Sequence, residues 1–113
     1  MEHNKLDAYN LALDFVARAN QIASRFPRGV GDLADQLRRA STSIALNIAE
    51  GAGEFSRKDK AKFYRYAKRS TAECGAIVDV ALRLDPDLDV GKSQDELEHL
   101  TALLTNLVRR CET

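Results

Sequence analysis

The chain has 113 residues, 44% of them hydrophobic and 30% charged, with 17 basic residues matching 17 acidic ones. That length suits one compact domain, and the composition excludes a disordered chain. Overall neutrality excludes a uniformly basic nucleic-acid binder, and no apolar run reads as a secretory signal or reaches the roughly 20 residues of a membrane helix, so a soluble, cytoplasmic protein is the expectation.

The first periodic segment runs from about His3 to Arg25. Leu6, Tyr9, Leu13, Val16 and Ala23 make one apolar row, and Ala12, Phe15, Ala19, Ile22 and Phe26 make a second. Together they span an arc of about 200°, twice the stripe of an ordinary surface helix. A helix that wide touches more than its own bundle, or is deeply buried.

Pro27, Gly29 and Gly31 end this segment. Asp32 is the expected N-cap of a second helix over about 33–52, with Leu33, Leu37, Ala40, Ile44, Ile48 and Gly51 along one seam. The stretch Gly51–Ser56 breaks the chain again. Ser56, with Asp59 three residues on, caps a third helix over 57–84, whose seam is Phe63, Ala67, Ser70, Cys74, Ile77, Ala81 and Leu84. After a loop rich in aspartate, Ser93 and Glu96 form a capping-box pair for a fourth helix over about 94–111, with Leu97, Leu100, Leu104, Leu107 and Cys111 on one face. Short connections between long helices make antiparallel neighbours. The expected fold is therefore all-α, a single up-down-up-down four-helix bundle over residues 1–113.

Several polar residues sit on or near the seams. With the apolar residues of the second helix as reference, Asn47 lies about 50° from their centre, Ser43 about 90°, Glu50 about 110° and Arg39 about 130°. On the third helix Ser70 falls inside the apolar arc and Glu73 at its border. Buried polar groups of this kind fix helix register and partner choice. Glu50 is placed to pair with Arg65 or Arg69, or to cap the third helix. The competing reading is a polar pocket, but a catalytic one needs a nucleophile beside a base or paired carboxylates. No histidine accompanies Ser43 or Ser70 in the pattern. Glu96 and His99 form one Glu-x-x-His where a di-iron bundle needs two, and the two cysteines have no metal spacing, so they read as buried reduced thiols. No catalytic residue, metal or cofactor is expected.

Charge is unevenly spread. Residues 57–69 carry an excess of six positive charges, and residues 73–99 an excess of six negative ones. Lys58, Lys62, Arg65 and Arg69, spaced four, three and four apart, form one stripe along the third helix. It reads as a solvated face, a nucleic-acid contact, or a subunit interface that meets the acidic half of a neighbour. A head-to-tail contact of unlike patches closes into a ring when the rotation per subunit permits.

The stretches QLRRASTSIALNIAEGAG (Gln36 to Gly53) and FYRYAKRSTAEC (Phe63 to Cys74) resemble the bacterial four helix bundle protein family, whose members include proteins encoded by intervening sequences in large-subunit ribosomal RNA genes. The resemblance extends from about Leu6 to Leu107. It implies a homopentameric ring without enzymatic activity, and its motif positions fall on Gln36, Arg38, Arg39, Ser43, Asn47, Glu50, Gly51, Ser70 and Glu73. The family is similar in fold to the accessory protein of diversity-generating retroelements, a basic pentamer that binds a reverse transcriptase and nucleic acid. RNA, or a protein such as a reverse transcriptase, is thus the implied partner, with Lys58, Lys62, Arg65 and Arg69 as contact residues. Members often carry a basic residue after the second glycine. Glu54 stands there in this chain and lowers the positive potential at that turn.

Overall fold

The computed structural model describes residues 3–112, His3 through its backbone alone; residues 1, 2 and 113 lie outside the described part. Four α-helices follow one another: α1 His3–Ala23, α2 Gly31–Gly53, α3 Arg57–Leu84 and α4 Ser93–Glu112. Each packs against its sequence neighbours, and α1 closes against α4. The result is an antiparallel four-helix bundle, a rod of 45 × 21 × 19 Å. Among the described residues, no helix is long and apolar enough to cross a membrane.

The helix ends show which local signals operate. Ser56 caps α3 as expected, its side chain accepting the Asp59 backbone N–H at 3.0 Å. Asp32 does not cap α2. That helix starts one residue earlier, Val30 occupies the cap with no side-chain hydrogen bond, and Asp32 lies in the first turn, where its charge favours the helix dipole. The Ser93–Glu96 capping box does not form either. Ser93 is the first residue of α4 and its buried hydroxyl makes no hydrogen bond among the described residues, while Glu96 reaches across to an ion pair with Arg18 of α1. An ion pair between helices outcompetes the local cap. Gly29 takes φ +90° in the first loop, a conformation that a side chain would strain.

The core is rotated relative to the sequence-based seams. On α1 it is built from Ala8, Ala12, Phe15, Ala19 and Ile22, whereas Leu6 and Leu13 stay exposed. The second apolar row faces inward, and of the first row Ala23 is buried and Tyr9 and Val16 pack against the core. On α3 the fully buried aromatic residue is Tyr64, not Phe63, and Thr71 takes the inward place expected of Ser70. Leu84 is 54% exposed. On α2 the buried set includes Ala34, Ser41 and Ala45, which moves its centre away from Asn47. Ser41 and Thr71 are buried and bonded within their own helices. Each hydroxyl donates to a carbonyl of its own helix, Ser41 to Arg38 O at 2.9 Å and Thr71 to Ala67 O at 2.8 Å.

Candidate functional site

The polar residues of α2 and α3 divide into a bonded node and an exposed flank. Ser43, Asn47 and Ser70 are half-buried and joined. The Asn47 amide donates to Ser43 O at 2.9 Å and to Ser43 Oγ at 3.0 Å, and Ser70 Oγ donates to Ser43 Oγ at 3.0 Å. The Ser43 hydroxyl is thereby an acceptor that ties α2 to α3. Arg39, Glu50 and Glu73 are exposed. No described bond joins Glu50 to Arg65 or Arg69; Arg65 instead forms an ion pair with Glu112 at the end of α4. The rotation of the α2 core explains this division, because it leaves Arg39 and Glu50 well outside the seam.

Lys58, Lys62, Arg65 and Arg69 are all exposed on one side of α3. Two of them lie against aromatic rings: Lys62 Nζ is 4.9 Å from the Phe63 centroid, and the Arg69 guanidinium is 5.7 Å from that of Tyr66. Phe63 and Tyr66 meet edge to face at 5.9 Å. With Leu46 of α2, which is 61% exposed, and Val80 and Leu84 of α3, these rings give the α2–α3 side an apolar surface that the bundle does not cover.

A second uncovered face lies on α1. Leu6, Asn10, Leu13, Ala17, Asn20 and Ser24 recur at steps of four and three, and all are exposed and uncharged. This is the spacing of a helix seam that meets another helix. It takes Leu6 and Leu13 from the first apolar row read from the sequence, whereas Tyr9, Val16 and Ala23 of that row pack on the core.

Charge is arranged along the rod. The up-down topology gathers the start of α1, the end of α2, the start of α3 and the end of α4 at one end. Lys5, Arg57, Lys58, Lys60, Arg109 and Arg110 stand there, interspersed with Asp7, Glu50, Glu54, Asp59 and Glu112. The other end carries Asp32, Asp35, Asp85, Asp87, Asp89, Asp95 and Glu96, of which Glu96, Asp89 and Asp35 are paired with Arg18, Arg25 and Arg38, and Arg28, Arg83 and Lys92 stand there too. The basic segment thus occupies one half of the rod and most of the acidic segment the other, and they meet on α3, where Arg69 and Glu73 are one helical turn apart.

At the basic end a cavity of about 260 Å³ is lined by Lys5, Arg57, Lys60 and Arg110, with Tyr64 and Leu107. Lys60 also donates to Gly51 O and Ala52 O at the end of α2, at 3.4 and 3.2 Å. Sequence reasoning missed this grouping, since its members are up to a hundred residues apart. The available signal was that an up-down bundle places the starts of α1 and α3 beside the end of α4.

The thiols differ. Cys74 is fully buried, and desolvation, helped by the nearby Glu73 charge, pushes its pKa up to about 12. Cys111, expected to be buried, is half-buried beside the basic cavity. His99 is exposed on α4. Among the described residues, no three His, Cys, Asp or Glu side chains gather as metal ligands would.

The profile of the 23S rRNA-intervening sequence protein family matches residues 4–109. The chain belongs to that family. The match includes all four helices and every residue of the polar node and basic stripe. No curated protein matches the chain.

Proposed function

We propose that this protein is a non-enzymatic, cytoplasmic assembly module: a homo-oligomeric ring, pentameric as its family resemblance implies, that presents a basic surface to RNA. The observation that carries self-association is the pair of uncovered faces. The α1 seam (Leu6, Asn10, Leu13, Ala17) and the α2–α3 surface (Leu46, Tyr66, Val80, Leu84) are different patches on one chain. A contact between unlike patches is heterologous and generates a ring if its rotation closes. Upright packing through these sides would set every basic end on the same rim. The rim and the α3 stripe of Lys58, Lys62, Arg65 and Arg69 then form one positive surface, suited to phosphate contacts. Ser43 supports the non-enzymatic reading: its hydroxyl accepts two hydrogen bonds and joins helices.

A second reading keeps the ring and drops RNA. Lys62 and Arg69 lie against Phe63 and Tyr66 at the edge of the uncovered α2–α3 surface, and in this reading the neighbouring copy extends over them. One experiment separates the two: light scattering and RNA filter binding on a variant with Lys58, Lys62, Arg65 and Arg69 replaced by Glu. Lost RNA retention at unchanged mass supports the RNA contact. A fall to monomer mass supports the second reading. Retained RNA at unchanged mass rejects the stripe as the contact surface. A partner such as a reverse transcriptase would show as protein capture in place of RNA retention.

A further inference from the structure

We infer that neighbouring copies meet helix to helix, α1 of one against α2 of the next, with Leu13 of the first seated beside Thr42 of the second and Asp14 of the first paired with Arg39 of the second. This rests on the proposed reading in one respect, that upright copies form a ring, and adds the contact helices, their register and the charge pair that selects it.

The α1 seam has a counterpart on α2. Asp35, Arg39, Thr42, Leu46, Ala49 and Gly53 also recur at steps of four and three, and all are exposed. Helix faces with this spacing pack on one another along their length. From Thr42 to Gly53 the α2 stripe is uncharged, as is the α1 seam from Leu6 to Ser24. The two helices run antiparallel, so levels count back from the end of α1 at Ala23 and forward from the start of α2 at Gly31. At 1.5 Å per residue, Leu13 and Thr42 both lie about 15–17 Å along, and Leu6 and Ala49 about 25–27 Å. Rotation about an axis parallel to the rods leaves every level unchanged, so these residues stay level across a contact between upright copies. Each leucine of α1 then meets a smaller side chain on α2, while Leu46 falls between the levels of Leu6 and Asn10. At the level of Leu13, α2 offers a recess of about 440 Å³ whose walls include Arg39, Thr42, Ser43 and Leu46. Charge agrees with this register. Asp14 and Arg39 both lie about 12–14 Å along by the same count. Both are exposed, and neither has an ion-pair partner among the described residues. Nearer the basic end the seams are flanked by Asp7 and Glu50, of like charge, so the attraction is concentrated at Asp14 and Arg39. Because α1 and α2 are adjacent corners of the bundle, their outward faces diverge by about a right angle, and successive contacts at such an angle turn into a small closed ring.

The test is light scattering of the full chain at moderate salt with Asp14→Arg, Arg39→Asp and the double variant. Each single reversal sets like charges against each other in the contact and should lower the mass towards that of one 12.5 kDa chain. The double variant restores opposite charges and should recover the wild-type mass. Disulfide cross-linking checks the register independently, because a bridge forms only where two Cα atoms approach closely. A chain carrying Leu13→Cys and Thr42→Cys with Cys111→Ala should oxidise to covalent ladders of several copies, whereas either new cysteine alone should give none. Circular dichroism of each variant confirms the fold, which these exposed side chains do not support. If the wild type is multi-copy but a single reversal keeps its mass, or the double variant stays dissociated, or no ladder forms, this register is wrong and the ring reading stands. If the wild type is itself a single chain, the ring reading fails with it.

Discussion

The backbone of Gly51 lies flat against the ring of Tyr64. A Cβ at residue 51 would come within 2.6 Å of Tyr64 Cε1 and 2.8 Å of Cδ1. Tyr64 is fully buried, so its ring would have to leave its packed position and shift towards the end cavity it lines. The glycine near the end of α2 is thus a packing residue that lets the first buried aromatic of α3 close the basic end of the bundle.

Gly51→Ala is therefore expected to destabilise the fold by about 1–3 kcal/mol, the usual range for overpacking a filled core. Gly53 offers the contrast. It is exposed, helical and has nothing within 4 Å of a built Cβ. Gly53→Ala should be neutral or stabilise by up to about 1 kcal/mol through the unfolded state. Urea unfolding of both variants checks the pair, and equal effects would contradict the contact.

Ser43 and Ser70 should behave as a coupled pair. Each replaced singly by Ala loses the hydrogen bond between α2 and α3, and replacing both loses it only once. A double-mutant cycle is expected to give a coupling of about 0.5–1.5 kcal/mol. Additive losses would show that the hydroxyls do not meet in solution.

Cys74 sets a pH dependence. Its folded pKa of about 12 lies above the ordinary thiol value of 9.0. The folded state therefore holds the proton more tightly, and its contribution is fully present below the unfolded pKa. It is lost as pH rises from about 9 towards about 12. Stability measured across alkaline pH should fall less steeply in Cys74→Ala than in wild type. Thiol labelling of the native protein should reach Cys111 readily and Cys74 only after unfolding.

Leu13→Lys and Leu46→Lys test the two uncovered faces separately. Both side chains are exposed in the single bundle, at 43% and 61%, so helix content should not change. Each charge, placed in a subunit contact, should lower the mass seen by light scattering. Unchanged mass in either variant would remove that face from the interface.

The helices were legible because their signals are local. Pro27 stops α1, and Ser56 caps α3. Which face turns inward was less legible on α1 and α3, because both carry apolar groups on adjacent rows. Phe63 and Tyr64 are neighbours, and either could fill the core by periodicity alone. The choice falls to Tyr64, with Gly51 on another helix leaving space for its ring. Likewise Arg65 is drawn to Glu112 rather than Glu50, a choice made by the approach of α4. The Ser43–Asn47 bond was readable from a four-residue step, whereas the cavity at the basic end required the topology first.

Self-association through the two uncovered faces is the claim on which the functional reading stands. Light scattering of the wild-type chain at moderate salt, across a wide concentration range, tests it most directly. The expected result is one stable species with the mass of five copies of the 12.5 kDa chain. A species of 12.5 kDa at every concentration would contradict it.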